Sequence, residues 1–228
     1  MTIDNRADLL AFIAGDARLT SLLACVRQRL DQDPGHDAEH SLRVALWTLE
    51  LGGDAVDRRR AVAAALLHDI VNLEKNSPER ARASELSSAE ARVVLAELGF
   101  EQADIEEIAE AIRDHAFSAG RVPVSLLGRA LQDADRLEAL GALGIFRTIS
   151  TGVRMGARYF DPADPWAENR ELDDRAFTVD HFYVKLLGLA ETLTTEPGRR
   201  EARRRTELLR LFLSELAGEL GSVPRSLR

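Results

Sequence analysis

Only five histidines occur in the 228 residues, and four of them have an aspartate as a direct neighbour. His68 precedes Asp69 at the end of the run AVAAALL, within ALLHDIVNLEKN (65–76). Such a run normally points into a core, where an ionisable side chain is costly unless it is paired or bound to a metal. Adjacent residues diverge by about 100° on a helix, so both side chains can reach one ion only where the helix ends. The doublet therefore indicates a metal site at a helix end.

Two other motifs carry residues that could complete such a site. His36 and His40, in GHDAEH, stand four residues apart and share one helical face if the helix starts by residue 36. The same spacing arises on surface helices that bind nothing, so a structural role for either histidine stays open. In LQDADRLEALGALGIF, Asp133 and Asp135 flank the apolar stripe about equally, and one carboxylate could cap a helix or pair with an arginine. The residues alone do not decide between these alternatives.

Histidine and aspartate together favour a particular class of metal ion. Imidazole nitrogens and carboxylate oxygens suit borderline or hard divalent ions, whereas structural zinc usually recruits thiolates, and Cys25 is distant in the sequence from these motifs. We expect one divalent metal ion, with Mn²⁺ as the first choice and Mg²⁺, Co²⁺, Ni²⁺ or Fe²⁺ as alternatives. Such an ion keeps coordination positions for water and for a phosphate oxygen, so the predicted chemistry is hydrolysis by attack of a metal-bound water.

The elements that must position these residues are helices. Apolar residues recur every three or four positions, no alternating strand pattern persists, and Ala, Leu, Arg and Glu dominate the composition. We predict an all-α bundle of about nine or ten helices in a single domain over 1–228, with the motif-bearing core at about 34–190. The helices are expected near residues 6–14, 17–31, 37–51, 55–71, 79–98, 103–116, 124–139, 141–152, 174–191 and 197–218.

Composition and charge argue against several classes of partner. The formal net charge of −8 repels polyanions, so we expect no nucleic-acid partner. The arginine-rich stretch GRREARRR (198–205) fits the solvated face of an amphipathic C-terminal helix at about 197–218, whose apolar face is compatible with a homodimer. No stretch reaches the roughly 20 apolar residues of a membrane span, so we expect no membrane partner and a cytoplasmic location.

The motifs occur in the order H…HD…D, and in this order on a helical chain they resemble those of the HD-domain phosphohydrolase superfamily. The matching stretches are HSLRV with His40, ALLHDI with His68 and Asp69, and QDADRL with Asp135. The resemblance implies an HD-domain-like helical bundle and makes these four residues the metal ligands. It thus selects the second member of each ambiguous pair.

The resemblance extends, over most of residues 34–190, to a bacterial subfamily of small stand-alone HD hydrolases. The shared stretches are GHDxxHxxRV, HDIVNxxKNxPxR, HAFS, QDADRLxALGAxGI and HFxVKLL. This subfamily is similar to enzymes that act on nucleotides, including nucleoside triphosphate pyrophosphohydrolases. HD enzymes that hydrolyse guanosine tetraphosphate alarmones typically carry HDxxED, whereas Asn72 and Leu73 occupy the acidic positions here, which argues against alarmone hydrolysis.

Polar and positively charged side chains that follow the His68-Asp69 doublet in the sequence are candidates for binding the substrate. Lys75, Asn76 and Arg80, in NLEKNSPER, could meet phosphate oxygens, with arginine acting as a bidentate fork and lysine as a point charge. An exposed polar loop that caps the next helix explains the same residues nearly as well. Both interpretations stay open.

The remaining histidines differ in their expected roles. Because an imidazole near its ordinary pKa can donate a proton at neutral pH, His115 is the first candidate for the acid that protonates the leaving group, or for a group behind the ligands. His36 is the reserve candidate, and Asp69 is expected to serve in catalysis as well as in metal binding. His181 is expected to be a packed residue bonded to Asp180 or to the segment 158–174.

These observations predict a metal-dependent phosphohydrolase. It would cleave a phosphoester or phosphoanhydride bond in a small phosphorylated substrate, for which a nucleotide is the expected class. The alternative is a non-catalytic module that senses a nucleotide or a metal with the same pocket. Release of phosphate or pyrophosphate, as opposed to binding alone, separates the two.

Overall fold

Ten α-helices make up most of the part of the chain that the computed structural model describes, which is residues 2–30, 37–71, 73, 79, 82–116 and 120–222. Within those ranges no β-strand forms, and a single isolated β-bridge joins Arg158 and Phe177. The predicted all-α fold is therefore confirmed. No single helix in the described ranges is both long and apolar enough to cross a membrane, and only the helix pair Arg6–Ala14 and Ala17–Leu30, bent by 117°, meets that length and composition.

The chain divides into two compact units, Met1–Asp135 and Arg136–Arg228. The first unit holds the first six helices and most of the seventh, and the second holds the last three with a 3₁₀ helix at Leu186–Thr192. A single domain over 1–228 remains a prediction. The ten helices are Arg6–Ala14 (α1), Ala17–Leu30 (α2), Ala38–Gly52 (α3), Arg58–Leu67 (α4), Ala83–Glu97 (α5), Gln102–Asp114 (α6), Leu126–Leu137 (α7), Gly141–Arg154 (α8), Thr178–Val184 (α9) and Glu196–Glu219 (α10).

Most helix boundaries agree closely with the sequence patterns, and the larger differences concern α4, α5 and α9. Helix α5 begins at Ala83, although helix was predicted from residue 79, and α4 begins at Arg58, although helix was predicted from residue 55. Helix α4 ends at Leu67, although the apolar pattern predicts helix to residue 71. The helix predicted over 174–191 is instead the seven-residue α9 followed by the 3₁₀ helix, with a break at Lys185. The pattern extends past α4 because Ile70 is itself buried, so apolar periodicity continues after the hydrogen-bond ladder has stopped.

Helix α4 is the centre of the first unit. From Ala61 to Leu67 every side chain is fully buried, and α2, α3 and α6 all pack against this helix. A helix that is apolar on every side must be surrounded by other elements. Its small alanines allow those neighbours to approach closely. The end of α4 therefore delivers the next two residues, His68 and Asp69, into the interior of the unit.

Two further helices of this unit begin at side-chain caps that fix where their functional residues lie. Asp37, three residues before His40, caps α3: its carboxylate accepts a hydrogen bond from the backbone N–H of that histidine at 2.7 Å. The hydroxyl of Ser125 accepts from the backbone N–H of Gly128 at 3.0 Å at the start of α7. A Cβ on Gly128 would lie 2.7 Å from the Cβ of Pro123, so only glycine fits this turn of α7.

The second unit is organised around a buried ion pair. Arg170 donates two hydrogen bonds to the carboxylate of Asp180, at 2.5 and 2.9 Å, and its guanidinium lies 4.4 Å from the centre of the Phe177 ring. Trp166 is buried, and its indole N–H donates to the backbone carbonyl of Ser222 at 2.9 Å. These contacts hold the irregular segment between α8 and α9 against the rest of the unit.

Candidate metal centre

His68 directly follows the last residue of α4 as its C-cap, and its ring is fixed by the backbone of that helix. Its Nδ1 lies 2.7 Å from the carbonyl oxygen of Ala65. Because a carbonyl only accepts hydrogen bonds, the Nδ1 must carry the proton. The neutral ring therefore presents the lone pair of Nε2, the form in which histidine binds metals.

His40 faces this lone pair from α3. The Nε2 atoms of His40 and His68 are 3.2 Å apart, and both side chains are essentially inaccessible to solvent. Two imidazole nitrogens at this distance need a positive centre between them, because two lone pairs repel each other. In the metal-free protein, a proton on Nε2 of His40 can lie between the two nitrogens. A divalent ion could take the place of that proton.

Two carboxylates complete the cluster. Asp69 has an oxygen 3.6 Å from Nε2 of His68, and the ligand atoms of His40, His68 and Asp69 all lie within 4.8 Å of one another. Asp135, on α7, has an oxygen 3.5 Å from Nε2 of His40 and 3.9 Å from Nε2 of His68. The four residues predicted as ligands therefore converge, and their two nitrogens and two carboxylates fit a divalent ion of borderline or hard character.

The cluster sets protonation states that suit a metal. Burial lowers the pKa of His68 from 6.5 to about 4, against the opposing effect of Asp69. Burial tends to raise the pKa of Asp135, but the hydrogen bond from His40 and the imidazoles of His68 and His115 hold it well below its ordinary value. At neutral pH His68 is thus a neutral imidazole and Asp135 an anion, the forms that ligate.

His115 lies directly behind Asp69. His115 directly follows α6, as His68 directly follows α4, and its Nδ1 lies 2.6 Å from the carbonyl oxygen of Ile112. Its Nε2 is 3.6 Å from the other oxygen of Asp69, and its ring centre is 5.1 Å from that of His68. Burial tends to lower the pKa of His115, but the hydrogen bond and charge of Asp69 raise it above the ordinary value. The sequence prediction that places His115 near the ligands agrees with this geometry.

The structure does not describe several of the predicted residues. His36, Lys75, Asn76 and Arg80 fall outside the described residues, so their predicted roles stay predictions. Helix α3 begins at Ala38, later than the start by residue 36 that the stacking of the first two histidines requires.

The distances to the imidazoles distinguish Asp135 from Asp133. Asp133 is fully buried in α7, but it is Asp135 whose oxygen lies within 4 Å of both imidazoles. His181 belongs to the second unit, where its Nδ1 lies 2.8 Å from the carboxylate of Asp174. This agrees with the predicted bond to the segment 158–174 and not with the predicted alternative, Asp180, which Arg170 holds.

One supporting residue escaped the sequence analysis. The hydroxyl of Ser87, on α5, accepts a hydrogen bond from the backbone N–H of Val71 at 3.2 Å, two residues after Asp69. Ser84, Ser87 and Ser88 are all buried and share one helical face by their spacing of three and four residues. A row of serines on a core-facing side of a helix is a signal that could have identified this support.

Comparison with known proteins agrees with the site. The family model described as HD domain matches residues 37–140, a range that contains all four converging residues and His115. The uncharacterised protein YpgQ of Bacillus subtilis is 30% identical over 198 residues, which cover 85% of this chain and 88% of YpgQ.

Solved structures share the fold over nearly the whole chain. The crystal structure of Bacillus subtilis YpgQ in complex with ADP is similar with a TM-score of 0.70 at 27% identity, covering 91% of this chain and 96% of that one. An HD-superfamily hydrolase from Bacillus thuringiensis is similar with a TM-score of 0.66 at 29% identity, covering 90% and 97%. Together with the converged histidines and aspartates, these matches show that the chain belongs to the HD-domain family.

Proposed function

We propose that this chain is a metal-dependent phosphohydrolase that cleaves a phosphoester or phosphoanhydride bond in a nucleotide. The observation that carries the proposal is the convergence of two imidazole Nε2 atoms and two carboxylates from two helices, α3 and α7, and the end of a third, α4. A purely structural polar network would not need two histidine nitrogens 3.2 Å apart in a buried place.

The ligands of the ion would be His40, His68, Asp69 and Asp135. When bound, a divalent ion supplies Lewis acidity, which lowers the pKa of water and polarises a phosphoryl oxygen. We propose Mn²⁺ as the first candidate because the donor set is nitrogen and oxygen with no thiolate. Mg²⁺, Co²⁺, Ni²⁺ and Fe²⁺ satisfy the same criterion.

His115 is the proposed acid that protonates the leaving group. Asp69 raises its pKa, so the ring carries a proton on each nitrogen at a higher pH than an ordinary histidine does. The Nδ1 proton is held by the carbonyl of Ile112, which leaves the Nε2 proton as the one that can move. One oxygen of Asp69 faces the ring of His115 and would stabilise its charged form, while the other oxygen faces His68, on the side where a metal would be held.

A nucleotide is the proposed substrate because YpgQ, which shares the fold over nearly the whole chain, was crystallised in complex with ADP. Its phosphates would approach the ion, and Lys75, Asn76 and Arg80 are the proposed contacts for the remaining negative charge. The net charge of −8 makes such local cations necessary for binding an anion.

The test is a turnover assay on chelator-stripped protein reconstituted with each divalent ion. We expect release of phosphate or pyrophosphate from a panel of nucleoside di- and triphosphates only when a metal is present. His68→Ala or Asp69→Ala should abolish both turnover and metal retention while the helical circular dichroism stays unchanged, and His181→Ala serves as the control. Nucleotide binding without release from any member of the panel would replace this proposal by the sensing module.

A further inference from the structure

Gln132 lies on α7, three residues before Asp135, and its side chain is completely buried. Its amide nitrogen donates two hydrogen bonds of 2.9 Å, one to the backbone carbonyl of Asp114 and one to that of Arg121. Both partners are carbonyl oxygens, which only accept, so the orientation of the amide is determined by its contacts.

These two carbonyls belong to the segment that carries His115. Asp114 is the last residue of α6 and directly precedes His115, and Arg121 follows six residues later. The last carbonyls of a helix have no partner within the helix and need one from outside. Gln132 supplies that partner at the end of α6. One side chain therefore ties the peptide before His115 to the helix that bears Asp135.

The chemistry of Gln132 also argues against a packing role. Its Oε1 is buried and has no hydrogen-bond partner among the described residues. A buried acceptor without a partner costs stability, and an apolar side chain of the same length would fill the space without that cost. The donors are therefore the part of this side chain that the fold uses.

The geometry points to Gln132 as a positioning residue that places His115 opposite Asp69 by holding the carbonyl between α6 and that histidine. Its effect on turnover rests on the proposed function, in which His115 gives up a proton. Its effect on the ring of His115 does not, because that is a property of the folded protein.

The first experiment compares Gln132→Met, which keeps length and loses both donors, with Gln102→Met. Gln102 donates a surface hydrogen bond of 2.9 Å to Glu106 and is the matched control. We expect kcat to fall about ten- to a hundredfold in Gln132→Met, the range for groups that orient a functional residue, with KM nearly unchanged. In a His115→Ala background the same substitution should cost nothing further, because residues that act as a unit are not additive. Independent, multiplying losses in that background would overturn the inference.

The second experiment needs no activity. We expect the ¹⁵N and ¹³C resonances of the His115 ring in metal-free protein, assigned with His115→Ala, to shift in Gln132→Met and to stay in place in Gln102→Met. Unchanged His115 resonances in Gln132→Met refute the positioning role, whether or not the protein hydrolyses nucleotides. Shifted resonances in a protein without turnover refute the proposed function alone. If Gln132→Met does not fold, Gln132→Asn takes its place, since the shorter amide cannot reach both carbonyls.

Discussion

Metal-free protein should lose stability as the pH falls from 6.5 towards 4, and His68 should carry the loss. Its pKa is 6.5 in the unfolded chain and about 4 in the folded one. Between these values the unfolded chain binds more protons, so the free energy of unfolding rises with pH across this window and falls on acidification. The difference of about 2.5 units, at 1.36 kcal/mol each, amounts to about 3 kcal/mol for this one side chain.

Burial is the main cause of this shift, because the ring is completely inaccessible and a charged imidazole would lose its hydration. The neighbouring charges partly cancel: Asp69 and Asp135 favour the protonated ring, while His115 and His40 oppose it. His115 contributes with the opposite sign. Its raised pKa adds stability that is fully present in acid and is lost as the pH rises through the folded pKa.

The assay is urea unfolding of chelator-treated protein at pH values between 4 and 8, followed by circular dichroism. We expect the stability difference between wild type and His68→Gln to change by about 3 kcal/mol over this range, with the wild type losing more on acidification. His115→Gln is the matched variant and should alter the profile in the opposite sense. Parallel profiles for wild type and His68→Gln would show that the ring is not held neutral by burial and would refute the reasoning.

Three further outcomes follow from the contacts. Arg170→Ala should destabilise the protein by about 3–5 kcal/mol, because it leaves the buried carboxylate of Asp180 without its ion-pair partner. The control Arg204→Ala breaks an exposed ion pair and should change the stability measured by urea unfolding by less than about 1 kcal/mol. Equal effects of the two substitutions would contradict the structural importance of the Arg170–Asp180 pair. Asp37→Ala should cost about 1 kcal/mol through the lost cap of α3 and should weaken metal binding measured by calorimetry, because the cap fixes the backbone of His40; an unchanged dissociation constant would contradict this link. Calorimetric metal affinity should also fall as the pH is lowered towards about 4, the pKa of His68 in the folded protein, since a ligating imidazole must be neutral, and a flat profile down to about pH 4 would argue against ligation by His68.

The helices were predictable from the sequence because burial in this fold follows the helical period. The pattern also placed the doublet at the end of an apolar helix, and α4 indeed ends at Leu67, directly before His68. What the period cannot show is the residue at which the hydrogen-bond ladder stops. Ile70 is buried like its predecessors, although it follows a turn, so the pattern alone extends the helix too far.

The choice between Asp133 and Asp135 depends on tertiary structure. Both flank the apolar stripe of α7, and Asp133 is even the more deeply buried of the two. Burial therefore does not identify the proposed ligand, and only the distances of Asp135 to the two imidazoles support its choice. The family resemblance also selected Asp135, because a motif shared among chains of one fold reflects a shared tertiary arrangement. The proposed role of Gln132 was missed for a related reason. Its partners are backbone carbonyls, and because every residue has one, the sequence does not show which of them Gln132 contacts.

The site shifts the pKa values of two histidines with the same local geometry in opposite directions. His68 and His115 each directly follow the last residue of a helix, and each donates its Nδ1 proton to the backbone carbonyl three residues earlier. Burial dominates at the first ring and lowers its pKa, whereas Asp69 outweighs burial at the second and raises it. This separation of pKa values is what the proposed roles require, with His68 as a metal ligand and His115 as an acid. Because Asp69 lies 3.6 Å from both rings, a metal that withdraws charge from this carboxylate would also lower the pKa of His115 and favour release of its proton.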